Sequence, residues 1–337
     1  MKKFFAIVLV LVLIVAAAGC GGNATEQLDA PAPTTDSTAQ VMPEGDSGDK
    51  QLVVGLSMSD DTQFLSNVRK AAEKKANELG IQLIPNSGQN QVEKQINDME
   101  AFITMGVDAI IFNPLDRNAM DEIVDKVKAA GIPLVEVNTF TSNENYDVYV
   151  GSPEEDAGRI QGEWIRKNLG DSGNLVIMYG QMGHSGQIGR YEGLKQALLD
   201  PCPEWNVLVE KTGEWKRELG QSMMEDWLLT YPDQIDVVAS QNDEMAMGAL
   251  AALEAAGKLD DIKVLGIDAS PDAVALVSEG QLALTVFQDS FTQGSTAVEV
   301  AVGLLNGETY PKVVDIPFRE VNPDNAEEFY AMLKEWE

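Results

Sequence analysis

Polar side chains able to hold a small molecule recur in this chain at one kind of place, directly after short apolar runs. Asp60 and Asp61 close the first run, Asn113 follows Ile110-Ile111-Phe112, and Asn138 follows 134–137. Further on, Gly180-Gln-Met-Gly-His184-Ser-Gly-Gln-Ile-Gly-Arg190 follows 175–178 and Trp215 lies past Val209; Gln241-Asn242-Asp243 follows 235–240, and Asp268 and Gln288 end two more runs. Carboxylates and amides beside an arginine, a histidine and aromatic faces suit a neutral polyol: acids and amides pair with adjacent hydroxyls, and an indole covers apolar ring C–H. Asp61 and Asp268 against Arg190 leave a net negative charge with His184 neutral, which disfavours anions such as phosphosugars and leaves cations compatible. Each residue alone also has a plainer role. Asp and Asn after strands are common helix N-caps, Arg190 reads equally as a surface ion pair and Trp215 as core, and Met245 and Met247 pack in a helix. Their joint placement is what favours binding.

Other chemistries fit poorly. One histidine and two cysteines cannot build multi-histidine zinc sites, cysteine knuckles or a disulfide framework, so no metal or cofactor is expected. Ser185 in Gly183-His184-Ser185-Gly186 fails as a hydrolase nucleophile, because the elbow needs glycine where Gln187 stands and the sole histidine would sit in the elbow itself. A paired-acid glycosidase using Asp61 and Asp268 stays open by residue type. Cys202, in Asp-Pro-Cys-Pro-Glu, reads as an unpaired loop cysteine with no histidine available to activate it.

The elements that must position these residues repeat: amphipathic helix, glycine, short apolar strand. Ala-Asn-Glu-Leu-Gly80 leads into 81–84, Phe-Ile-Thr-Met-Gly106 into 108–112, and Val-Lys-Ala-Ala-Gly131 into 132–137. The glycines suit left-handed helix C-caps and the strands are apolar enough to be buried on both faces. Phe64, Leu65, Val68, Ala71, Ala72, Ala76 and Leu79 form one helical stripe, and Val92, Ile96, Met99 and Ile103 another. After Gly151 the alternation restarts with a helix over 153–168 and strands at 175–178, 207–209, 235–238, 264–267 and 282–287; Gly257 and Gly280 again close helices. The fold class is α/β, two doubly wound parallel-sheet lobes sharing a hinge, with a cleft beyond the carboxyl ends of the strands.

At the N-terminus, Lys2 and Lys3 precede the apolar run 4–18, too short for a membrane span, which needs about 20 residues. Ala17-Ala18-Gly19-Cys20 is similar to a bacterial lipobox, so a signal peptide over 1–19 and a lipidated Cys20 are expected; the alternative is a soluble secretory signal, and either places the domain outside the cytoplasm. Residues 20–50 are rich in Pro, Thr, Ser, Gly and Asp and read as a disordered tether, its flexible part reaching roughly 30 Å. With 54 acidic against 24 basic residues the net charge is −30, which excludes nucleic acid as a partner.

Gln241-Asn-Asp-Glu-Met-Ala-Met-Gly248 and Gly266-Ile-Asp268-Ala-Ser-Pro271-Asp-Ala-Val-Ala-Leu276, with Asp60-Asp61, Phe64 and Val68-Arg-Lys70, carry a resemblance over about 51–337. The chain resembles the type I periplasmic sugar-binding proteins, in particular those for galactose/glucose and ribose. The resemblance implies a lobe of 51–151 plus 289–317, a second of 152–288 plus 318–337, and a multi-strand hinge. It implies ligand contacts at Asp61, Phe64, Asn113, Asn138, His184, Arg190, Trp215, Asn242 and Asp268, with Gln288 at the hinge. It further implies a monomer that is no enzyme, touching the membrane only through its lipid anchor and handing a sugar or polyol to an ABC permease with ATPase subunits. Both a chemoreceptor and a kinase are alternative readers of the same closure. Gly186 stands where the galactose/glucose pattern has an acid, and Asn138-Thr139 and Gln63 stand where the ribose pattern has Asp-Arg and an aromatic, so neither pattern fits whole. Gly170-Asp-Ser-Gly-Asn174 is too short for the calcium loop of some galactose/glucose proteins, and no structural calcium is expected.

Overall fold

A computed structural model of the chain describes residues 51–335. The expected signal peptide, Cys20 and the tether lie outside the described residues. The first stretch alternates β1 (Val53–Met58), α1 (Gln63–Leu79), β2 (Gln82–Ser87), α2 (Val92–Met105), β3 (Ala109–Phe112), α3 (Asp121–Ala129), β4 (Leu134–Val137) and β5 (Val148–Gly151). Then come α4 (Glu154–Leu169), β6 (Ser172–Tyr179), α5 (Ser185–Leu194), β7 (Glu204–Thr212), α6 (Arg217–Thr230), β8 (Val237–Ser240), α7 (Asp243–Ala256), β9 (Lys263–Leu265), α8 (Pro271–Ser278) and β10 (Thr285–Phe287). The chain ends on α9 (Ser290–Leu305), β11 (Val313–Asp315), β12 (Arg319–Val321) and α10 (Ala326–Lys334).

Strand alternating with helix yields two parallel sheets, as right-handed crossovers require. The first runs β11-β5-β4-β3-β1-β2 and the second β7-β6-β8-β9. Single bridges Leu265–Leu284 and Asp268–Phe287 extend the second sheet towards β10, which pairs antiparallel with β12. Each sheet has an apolar core on both faces. In the first, Leu56 and Val68 share one core with α9, while Phe112, Met120 and Ile123 form the other. In the second, Ile177 and Leu198 lie on the α4–α5 side, and Val238, Met245 and Met247 on the α6–α7 side. The chain passes between the sheets after β5, after β10 and between β11 and β12.

The C-cap glycines stand as expected: Gly80, Gly106 and Gly257 end their helices at φ of 69°, 66° and 68°. Two expectations need correction. β2 is not buried on both faces; it is an edge strand paired only with β1, and Pro85 is tolerated there because an edge residue needs no second ladder partner. Leu79, the last member of the α1 stripe, is 46% exposed at the capped end of its helix.

Candidate functional site

A cavity of about 910 Å³, counted to its open mouth, lies where the carboxyl ends of the two sheets meet. Eight of the ten sequence-predicted residues line it: Phe64, Asn138, His184, Arg190, Trp215, Asn242, Asp268 and Gln288. Asp61 and Asn113 do not. Neighbouring residues in an extended turn point opposite ways, so Asp60 lines the cavity while Asp61 turns outward, accepting from Ser87 Oγ at 2.8 Å with Arg69 at 3.9 Å. Asn113 is wholly buried. Its amide donates to Val137 O (3.1 Å) and Thr139 Oγ1 (2.8 Å), and its oxygen accepts from the backbone N–H and hydroxyl of Ser59 (3.2 and 2.7 Å). With both ends occupied, Asn113 ties the loops after β1, β3 and β4 together and supports Asn138 from behind.

Arg190 is the centre of the second-sheet wall. It is buried, and α5 brings it there because Gly158 on α4 and Gly193 on α5 let the two helices touch backbone to backbone. A Cβ on either would sit 1.9 Å from a carbonyl oxygen of the other helix. That contact sets Arg190 Nε 2.8 Å from Glu154, itself buried in the first turn of α4. Nη1 donates to Gln241 O (2.5 Å), and Nη2 to Gln288 Oε1 (3.0 Å). A guanidinium has five N–H groups, so donors remain. Burial raises the proton affinity of Glu154, and Arg190 opposes the rise. Gln288 Nε2 is buried with no hydrogen bond of full geometry to the protein, though near enough to Glu154 to help hold its charge.

His184 caps α5, its Nδ1 accepting from Gly186 N–H at 3.1 Å, which leaves the proton on Nε2 as a fixed donor. Burial, with the Arg190 charge beside it, pushes the imidazole down to about 3, so the ring is neutral. Its ring meets Trp215 edge-on at 5.2 Å, and the Arg190 guanidinium lies 5.5 Å from the same indole. Asn242 does cap α7, as its plainer reading had it, accepting from Met245 N–H (3.0 Å), and its amide donates to Trp215 O (3.1 Å). Cap and wall residue are one and the same.

Asp268 has the unusual φ of 122°. Among the described residues its carboxylate accepts no hydrogen bond, and Arg190 Nη1 lies 3.9 Å away. Burial raises it well above the ordinary carboxylate range, Arg190 opposing and Asp243 adding to the rise. Asp243 is pushed up to about 7 by burial, although Thr285 Oγ1 (2.6 Å) and Ser270 N–H (2.8 Å) already occupy its oxygens. Four carboxylates, Asp60, Asp243, Glu244 and Asp268, line the cavity against the single guanidinium, and Glu244 is paired with Arg217 at 2.9 Å. With that guanidinium already held by Glu154, the wall offers an anion no unpaired positive charge. It offers acceptors at Asp268 and at Asp60, whose Oδ1 already takes the Thr62 N–H at 2.9 Å, and donors at His184, Asn242 and Arg190, a mixture matched to hydroxyls, which both give and take.

Sequence reasoning overlooked Glu154, which looks like any acid in a first helical turn, and preferred Asp61 to Asp60. Ser185 is buried with its Oγ facing Phe140 N–H (3.3 Å), while His184 Nδ1 is committed to Gly186, so the pair is not set up as nucleophile and base. Cys202 is free and buried, its thiol against Asp171 at 3.2 Å. Among the described residues no helix is long and apolar enough to cross a membrane, and no group of three or more His, Cys, Asp or Glu side chains could hold a metal ion.

The sequence profile of the periplasmic binding protein domain matches residues 53–309. A putative rhizopine-binding protein of Rhizobium meliloti is 35% identical over 284 residues, 82% of this chain and 92% of its own. The ribose import binding protein RbsB of Bacillus subtilis is 31% identical over 278 residues, 82% of this chain and 89% of its own. Among solved structures, an ABC transporter solute binding protein from Bacillus halodurans with bound myo-inositol superimposes with a TM-score of 0.81 at 41% identity, covering 86% of this chain and 99% of that one. By its profile match, its relatives and its paired parallel sheets, the chain belongs to the periplasmic binding protein family.

Proposed function

We propose that this protein is an extracytoplasmic receptor that closes around a neutral cyclic polyol or monosaccharide, leaves it chemically unchanged, and delivers it to an ABC importer. The observation that carries the reading is the convergence of unused donors and acceptors around an indole, Asp268 foremost, in a cavity whose one guanidinium is already held by Glu154. The inositol bound by the Bacillus halodurans relative favours a cyclitol among the candidates. In this reading 51–151 plus 289–317 form one lobe and 152–288 plus 318–337 the other, with the three crossings as hinge. Ligand stabilises the closed arrangement because neither lobe alone satisfies all its hydroxyls, and closure is what the permease recognises. Cys20 anchors the receptor to the membrane through lipid.

Calorimetric titration with myo-inositol, D-ribose, D-galactose and D-glucose tests this. At least one ligand is expected to bind at micromolar affinity or tighter, about −8 kcal/mol. Trp215→Ala and Asn242→Ala each weaken it at least tenfold, about 1.4 kcal/mol. Failure of all four to bind, or full affinity in both variants, contradicts the reading.

A further inference from the structure

The loops of the two sheets meet directly at a second place, beside the cavity. Arg117, after β3, donates its N–H to Gly183 O at 3.0 Å, and Phe140, after β4, donates its N–H to Ser185 Oγ at 3.3 Å. The Arg117 guanidinium lies 5.1 Å from the Phe140 ring, so the two first-sheet loops form one rim. That rim comes so close that a Cβ on Gly183 would stand 2.5 Å from Asp116 Oδ2, and Gly183 also has φ +86°, a conformation glycine alone adopts without strain. Asp116, Arg117, Phe140, Gly183 and Ser185 are not cavity-lining residues, whereas His184, between the last two, is.

We propose that Ser185 is a positioning residue for ligand capture: through the Phe140 N–H···Oγ contact it couples His184, which faces the ligand, to closure of the seam formed by 116–117 and 140 against 183–185. This rests on the proposed two-lobe reading. A ligand acceptor on His184 Nε2–H fixes the 183–185 turn, and the same turn presents the Gly183 carbonyl and Ser185 hydroxyl to the opposing rim. The seam forms no contact with ligand, so it adds the same increment to the closed state whichever ligand is inside. His184 selects; its two neighbours latch.

The test compares wild type and Ser185→Ala in the purified protein, with myo-inositol, D-ribose and D-galactose as probes and amide hydrogen exchange as second readout. Loss of one buried hydrogen bond is expected to weaken every probe that binds by the same factor, roughly fivefold, through faster release and with unchanged ranking. With ligand bound, the Phe140 amide exchanges faster in the variant than in wild type, and in wild type it gains protection on ligand addition together with Arg117. If no probe binds wild type, the ligand reading fails, and the exchange of Phe140 with and without Ser185 Oγ decides the seam alone. Unchanged affinity and exchange in Ser185→Ala overturn the proposal. So does a reordering of the probes, which would place Ser185 against the ligand, or a wild-type Phe140 amide that exchanges with ligand bound as in an open chain.

Discussion

The two walls of the cavity are built on opposite plans. On the second-sheet wall, His184, Arg190 and Asn242 are each fixed by a bond to the protein and each keep a donor for something else, while Asp268 keeps its whole carboxylate. On the first-sheet wall the polar groups on and after β3 and β4 are turned inward. Asn113 is saturated, Asn138 gives its amide to Gln293 at 3.0 Å, and Glu136, completely buried, is closed off by Thr141. One wall is prepared for recognition. The other presents Asp60, Thr62, Gln63, Phe64 and Asn67 from the start of α1 and the loop before it, but behind β3 and β4 it is prepared for rigidity, and a rigid wall can serve as a lid.

The sharpest way to break this contrast is to remove the support of the second wall. Glu154→Ala leaves Arg190 charged and buried without its 2.8 Å partner, so unfolding should become easier by about 3–5 kcal/mol. Denaturant titration measures the loss, and ligand affinity should fall with it. A variant as stable as wild type would mean that the pair does not organise the wall.

The first wall has its own test, of opposite sign and confined to high pH. Glu136 Oε1 lies 2.7 Å from Thr141 Oγ1, whose single hydroxyl proton also has Asn143 O at 3.1 Å to satisfy. A protonated Glu136 lets both bonds form, and burial does push the carboxyl up to about 8, against hydrogen bonds from Thr141 that favour its charge. Because the folded value is raised above the unfolded one, the stability Glu136 confers is fully present below about 4.5 and is lost as pH rises through about 8. Glu136→Gln reproduces the neutral form, donating to Thr141 Oγ1 and accepting from its N–H. It should raise stability by about 4 kcal/mol at pH 8, with the gain vanishing near pH 4.5. A gain that does not change with pH would contradict a protonated Glu136.

The smallest effect is a null titration. His184 is the chain's sole histidine. Its NMR signals should show the neutral Nε2–H form without titrating between pH 8 and pH 5, since burial holds it near 3. A midpoint near 6.5 would show a solvated ring and a looser second wall.

Much of this was legible in the sequence, and for local reasons. Gly80, Gly106 and Gly257 mark helix ends because the left-handed cap is a property of one residue. Strand ends followed, and with them the ring of residues around the cavity, because parallel sheets present their carboxyl ends on one side. What was not legible depends on partners distant in sequence. Nothing near Glu154 says that Arg190, 36 residues on, will need it. Nor does anything near Asn113 say that Ser59, Val137 and Thr139 will use up its amide. Asp60 against Asp61 turns on one peptide's orientation, and the edge position of β2 on sheet order rather than on its own residues.

The most direct measurement is a crystal structure of the protein with the tightest-binding of the four probes. The ring is expected in the cavity under Trp215, its hydroxyls on Asp268, Asn242, Arg190 and His184 Nε2, its covalent structure intact, and Asp61 and Asn113 out of contact. A ligand bound elsewhere, held chiefly by the first-sheet wall, or recovered as a reaction product would contradict it.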